Sequence, residues 1–286
     1  MNSKHLLLAA LLLAGCRPSP DHLYAEANKY FAQSMYQEAL PLYEELQVRD
    51  ANNVNIYPKL AISYAMVRDW SKCAEYGRMA IERKADFYEV YRQTAYCQAR
   101  LGKTEQALAL YKQGLKQYPD RAEMKEEAAA LEFREKHYAE AARMFQELSD
   151  QAPKHPDYAY NAAATLEKLG KLELAEKYYQ RELRRIPKHA NALFGLGSVA
   201  QKQGKPELAI SQFQKVVKYQ PKHLSARLNL AQLLEKQQPK AALVHWKSYL
   251  QLAQKEKEPQ AYISKAQEHI RRLEGGSQKP QNTSSR

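Results

Sequence analysis

Small side chains recur along this chain at a fixed interval. Ala27, Ala61, Ala95, Ala129, Ala163, Gly197 and Ala231 stand 34 residues apart, and Ala39, Cys73, Ala107, Ala141, Ala175 and Ala209 repeat in step with them. A ring follows the second column by four residues, as Tyr43, Tyr111, Phe145, Tyr179 and Phe213, with Gly77 the one gap. Pro119, Pro153, Pro187 and Pro221 close successive units. Self-similarity at this interval marks an array of two-helix units. Small residues on facing helices let the axes approach closely. A ring one helical turn later shares their face and fills the next gap. Proline cannot continue a helix and disfavours helical geometry in the residue before it. Each unit therefore predicts helix, tight turn, helix and stop. Leu101-Gly102-Lys103, Leu169-Gly170-Lys171 and Gln203-Gly204-Lys205 put glycine just past the first helix, where a left-handed cap is needed. No alternating apolar run is long enough for a strand, so the expected class is all-α.

These columns in register resemble the tetratricopeptide repeat, over roughly residues 20–257. The resemblance implies a right-handed superhelical solenoid whose first helices line a concave groove. Lys125 and Arg227 stand where the repeat usually has a large apolar residue, and Gln98 and Glu132 where it usually has tyrosine. After the sixth unit the register slips by one residue near Gln238-Pro239, so that Ala242 and Trp246 continue the small and ring columns. A last helix is expected over about 260–273, with Tyr262, Ala266 and Ile270 on one stripe, as the polar-faced cap that a solenoid needs.

The N-terminus has a different pattern. A basic start, the apolar run Leu6–Leu13 and then Ala14-Gly15-Cys16 form a secretory leader too short for a permanent span. Leu13-Ala14-Gly15-Cys16 looks like a bacterial lipobox, which implies acylation of Cys16 and cleavage before it. Two or more acyl chains anchor stably where one does not. Arg17 in place of aspartate favours the outer membrane under the sorting rule of that family. The expected organisation is a leader over 1–16, a tether over 17–22, the solenoid of about seven repeats over 23–257, a capping helix over 258–274 and a disordered tail over 275–286.

Charge narrows the choice of partners. The formal net charge is +12, and loss of Lys4 with the leader lowers it by one. Such a surface favours acidic partners: protein, anionic lipid or an anionic cell-wall polymer. Nucleic acid does not suit an exported chain. Cys73 and Cys97 read as two small buried core residues. Because the second helix of one unit packs on the first helix of the next, a disulfide is the alternative in an oxidising compartment.

The family's groove positions carry Tyr24, Asn28, Phe31, Arg92, Tyr96, Phe133, Tyr160 and Phe194, and a cation ladder of Arg100, Arg134, Lys168, Lys202 and Lys236. Rings interleaved with cations suit an extended acidic peptide. The proposed binding set is Tyr96, Arg100, Phe133, Arg134, Tyr160, Lys168, Phe194 and Lys202. A basic residue late in a helix also complements the helix dipole, which is the structural alternative. His155, His189 and His223 recur after Pro-Lys, but packed helix layers lie about 8–10 Å apart, too far for neighbours to share a metal ion. They read as solvated inter-repeat loops. Gly195-Leu196-Gly197-Ser198-Val199-Ala200 matches a dinucleotide fingerprint only on paper, because no strand precedes it. No nucleophile–base pair, paired metal cysteines or phosphate loop is present. The sequence therefore predicts no enzyme, cofactor or metal, and a scaffold lipid-anchored in the cell envelope and facing the periplasm.

Overall fold

The computed structural model describes residues 18–275 apart from residues 86 and 156. Cys16, the leader and the tail from residue 276 lie outside the described residues. All regular structure among the described residues is helical, and no helix is long and apolar enough to cross a membrane. The chain divides into two units between Glu135 and Lys136, inside the fourth repeat.

The first unit holds α1 (Pro20–Ala32), α2 (Tyr36–Arg49), α3 (Ile56–Met66), α4 (Trp70–Glu82), α5 (Tyr88–Arg100), α6 (Thr104–Gln117) and α7 (Ala122–Arg134). Each helix packs on the next, and α3 also touches α5, the first helix of the following repeat. The second unit holds α8 (Tyr138–Gln151), α9 (Tyr158–Lys168), α10 (Leu172–Arg185), α11 (Ala190–Lys202), α12 (Pro206–Tyr219), α13 (Leu224–Leu234), α14 (Pro239–Lys255) and α15 (Gln260–Gly275). Sequential packing repeats there, with α9 touching α11.

Local signals set the helix ends. The Ser19 hydroxyl accepts from the His22 N–H at 3.3 Å and Pro20 opens α1, while the Asp69 carboxylate accepts from the Lys72 N–H at 3.1 Å ahead of α4. In six successive repeats the same turn residue is left-handed: Ser34, Arg68, Gly102, Lys136, Gly170 and Gly204, with φ between 59° and 76°. Glycine reaches this region freely and the other three pay a backbone strain for it.

The small columns form the core. Ala27, Ala61, Ala95, Ala129, Ala163 and Ala231 are fully buried, as are Ala39, Cys73, Ala107, Ala141, Ala175 and Ala209. Position 197 is glycine because space demands it: a Cβ would sit 2.6 Å from the Phe213 ring. The gap at Gly77 has the same cause, with Thr94 pressed against it. Trp246 is 1% exposed and continues the ring column across the register slip. In α15 the buried stripe is Ile263, Ala266 and Ile270, and Tyr262 faces outward at 53% exposure. The sequence stripe was therefore one residue off at its start. Helix α1 begins at Pro20, inside the span expected as tether, and just before it the Arg49 guanidinium donates to the Pro18 carbonyl at 2.8 Å.

The cysteine reading needs correction. Cys73 on α4 and Cys97 on α5 are joined by a disulfide, with their Cα atoms 6.2 Å apart. Both sit in the small-residue interface between the second and third repeats. Close axis approach there is what brings the two sulfurs together.

Candidate functional site

The expected groove residues sit on the first helices of their repeats, but their surroundings differ. On α5 of the first unit, Tyr96 is 40% exposed and lies edge-on to Trp70 of α4, with ring centroids 5.8 Å apart. The exposed Arg100 guanidinium stands 5.3 Å from the Trp70 ring centroid. Among the described residues no carboxylate pairs with Arg100. Arg134 ends α7 and pairs with its sequence neighbour Glu135, at 3.4 Å. Phe133 is half-buried beside it.

Arg92, one turn before Tyr96, is fully engaged. It pairs with Glu89 and, at 2.6 Å, with Glu127, which also accepts from the Tyr111 hydroxyl at 3.1 Å. Burial alone would raise the Glu89 carboxyl, but bonds from Arg92 and Gln93 hold it below its ordinary value. Burial pushes Glu127 up despite Arg92. A second network joins Tyr64 to Glu44 and Lys72, and burial with the Glu44 bond pushes the Tyr64 phenol up to about 12.

In the second unit the same positions are largely satisfied internally. Tyr160 tilts against Tyr179 and His189, with centroids 6.1 and 5.3 Å away. Phe194 tilts on Phe213 at 5.4 Å and stacks on His223 at 5.0 Å. Lys202 donates to Glu167 at 2.8 Å, and Glu167 also accepts from the hydroxyls of Ser198 at 2.6 Å and Tyr179 at 2.9 Å. Burial and the Glu167 charge raise the Tyr179 phenol well above its ordinary value. Lys168 and Lys236 are exposed. A cavity of about 540 Å³ formed by α10, α11 and α12 contains none of the ladder side chains.

Two of the repeating histidines are more than solvated loops. The Nδ1 atoms of His189 and His223 accept from the backbone N–H groups of Ala192 at 3.1 Å and Ala226 at 3.2 Å, capping α11 and α13. Each ring then covers an aromatic side chain of the preceding first helix. The pattern Pro-Lys-His before a helix held this signal, because a neutral imidazole can stand in for the usual capping oxygen. Burial lowers the His223 pKa.

Ligand atoms of Asp157, Glu182 and His189 lie within 4.8 Å of one another. The donor set does not fit a metal ion. With Nδ1 accepting the cap bond, the proton of the neutral ring sits on Nε2, the atom 3.7 Å from Asp157. Glu182, 1% exposed, is paired with Arg185 at 2.6 Å. A metal at Nε2 needs the lone pair that this tautomer lacks. The cluster is a carboxylate-held helix cap.

Trp70 was missed by the repeat pattern, since its position lies outside the family's groove set. So were Glu127 and Glu167, which pair with Arg92 and Lys202 from neighbouring helices.

Comparison with known proteins agrees with this architecture. One tetratricopeptide repeat family model matches residues 158–222 and another matches 93–142. The C-terminal part of a TPR repeat-containing protein from Cytophaga hutchinsonii is similar with a TM-score of 0.68 at 14% identity, covering 84% of this chain and 98% of that one. MamA from Desulfovibrio magneticus RS-1, from residue 41 to its end, gives a TM-score of 0.55 at 22% identity, covering 60% of this chain and 97% of that one. YrrB, described as a TPR protein with an unusual peptide-binding site, gives 0.55 at 24% identity, covering 68% and 99%. The chain has the all-α fold of a tetratricopeptide-repeat array, and that fold supports a protein-interaction scaffold.

Proposed function

We propose that this protein is a non-enzymatic scaffold of the cell envelope, holding an acidic segment of a partner protein on the exposed faces of its first helices. An acylated Cys16 would keep it beside the membrane, with the outer membrane facing the periplasm as the expected site. The observation that carries the binding reading is Arg100, an exposed cation on an aromatic face with no carboxylate partner among the described residues. Charge-assisted bonds to such a group are strong and directional. The excess of basic residues over the whole chain favours an acidic partner.

A photo-crosslinking amino acid in place of the exposed Met66 of the first unit, used in intact cells with mass spectrometry, should recover a discrete partner. Charge reversal of Arg100, Arg134 and Lys168 together, each to Glu, should lose it. Capture that persists at the wild-type level contradicts the binding reading. For the anchor, Cys16→Ser should abolish incorporation of labelled fatty acid and release the chain from membranes. Retention in the membrane fraction contradicts that part alone.

A further inference from the structure

The net charge of this chain is concentrated in its second half. Residues 136–286 carry 26 Lys and Arg against 14 Asp and Glu, a difference of 12 that equals the formal charge of the whole chain. Part of that excess borders the cavity formed by α10, α11 and α12. Arg184 of α10 and Lys215 of α12 line it, both exposed, and no carboxylate pairs with either among the described residues. Lys218 and Lys222 extend the basic edge, at the places that Arg184 and Lys188 hold one repeat earlier. The floor is apolar: Leu193 and Leu196 are 2% and 5% exposed, and Leu183 and Pro187 line the same space. We infer that this cavity binds a phosphate-headed lipid, with its acyl chain on the leucine floor and its phosphate at Arg184 and Lys215. The site goes beyond the scaffold reading, and its cations stand on second helices rather than first ones.

Size, floor and rim each restrict the ligand. The volume of about 540 Å³ lies within the range of small-molecule sites, roughly 300–1,000 Å³. An apolar floor open to water favours a ligand that covers it with apolar surface. The polar side chains of the cavity select against a peptide. The Gln180 amide donates to Glu176 at 3.1 Å, and the Gln212 carbonyl accepts from the Lys215 ammonium at 3.4 Å. A peptide would bury backbone N–H and C=O groups where these partners are already used, and each unpaired group costs free energy. An acyl chain brings no such groups.

The rim selects the head. Gln212 is 6% exposed, so its carbonyl holds the Lys215 ammonium at the cavity. A guanidinium fork takes two phosphate oxygens at once, and an ammonium adds a compact point charge. Tyr219, 37% exposed, also lines the cavity, and the Lys188 ammonium stands 5.8 Å from its ring centroid as a third cation beside the site. Charge complementarity therefore calls for an anionic head, and the floor calls for a chain attached to it.

The test titrates the purified full chain with octyl phosphate below its micelle concentration, by isothermal titration calorimetry. The chain carries Cys16→Ser, so the probe supplies the only acyl-like group. Octyl phosphate should bind. Butyl phosphate has the same head on a shorter chain and should bind at least about tenfold more weakly, since fewer methylenes reach the floor. Octyl phosphocholine has the same chain under a head of no net charge and should also bind about tenfold or more weakly. Arg184→Gln combined with Lys215→Gln should lower octyl phosphate affinity by about tenfold or more. Both side chains are exposed, so the helical circular-dichroism signal should stay unchanged.

No binding of octyl phosphate, equal binding of octyl phosphocholine, or an unchanged affinity in the double variant would overturn the lipid site. Equal binding of butyl phosphate would leave a site for bare phosphate and overturn it too. Tighter binding of a blocked hexapeptide of alternating Glu and Leu, lost in the same double variant, would give the cavity to an acidic peptide and overturn the lipid.

Discussion

Arg100 in the first unit and Lys202 in the second occupy the same place in their repeats, yet one is open and the other is bound. The difference traces to the residue 35 positions upstream. For Lys202 that residue is Glu167, which accepts its ammonium at 2.8 Å. For Arg100 it is Ala65, which offers no acceptor. A repeat array thus sets the charge of its exposed face one repeat at a time, through the carboxylate each module lends or withholds. The family pattern marks where a cation stands. The neighbouring module decides whether that cation is available.

The comparison can be broken at several points. The largest effect concerns the bridge, which the first unit has and the second lacks. Replacing Cys73 and Cys97 by Ala should lower stability by about 3 kcal/mol, because the bridge closes a loop of sequence separation 24. Equilibrium urea unfolding without reductant measures it, and an unshifted midpoint in the first unit's transition contradicts it.

Next comes the transplant Ala65→Glu, which gives Arg100 the neighbour that Lys202 has. Affinity for a fluorescein-labelled peptide of alternating Asp and Leu with blocked ends (the Asp–Leu peptide), read by fluorescence anisotropy, should fall by roughly tenfold or more, since the cation is neutralised in place. The reciprocal change, Glu167→Gln, should cost about 1–2 kcal/mol of stability by weakening the bonds from Lys202, Ser198 and Tyr179. It should also raise acidic-peptide binding by freeing Lys202. A stable variant with no gain in binding would show that the second unit's face is silent for another reason.

The smallest effect is a pH dependence confined to the second unit. Unfolded His223 takes its proton near pH 6.5, and the folded one only at lower pH because burial disfavours the charge. The folded state therefore holds fewer protons in that window, and stability should fall as pH drops below about 6.5. Protonation also removes the lone pair that caps α13, worth about 1 kcal/mol. His223→Asn keeps a capping acceptor without the titration and should lessen the slope between pH 7 and pH 5, the buried His245 supplying the remainder in the same direction. An equal slope in both proteins excludes His223 as its source.

Much of the architecture was legible because the packing rule repeats. Alanines at the close approaches, rings one turn later and glycines at the left-handed turns each answer a local requirement, and together they located the helices. The place of Tyr96 and Arg100 on α5 followed from the same register, and both are exposed there. Trp70 was not, because its place beside Tyr96 depends on how α4 packs on α5, which no pattern within one repeat encodes. Glu167 reads as an ordinary helical carboxylate until the fold brings Lys202 to it. The cysteines looked like two more small residues, and spacing alone left their union open. Tyr262 was favoured over Ile263 by its spacing to Ala266, while the burial shows that the stripe begins at the aliphatic side chain.

The most direct measurement is a matched pair of charge removals read against the Asp–Leu peptide by anisotropy. Arg100→Gln should weaken binding by about tenfold or more, and Lys202→Gln, whose ammonium is already spent on Glu167, should change it by less than about twofold. Equal losses from the two variants, or a larger loss from Lys202→Gln, would contradict the account.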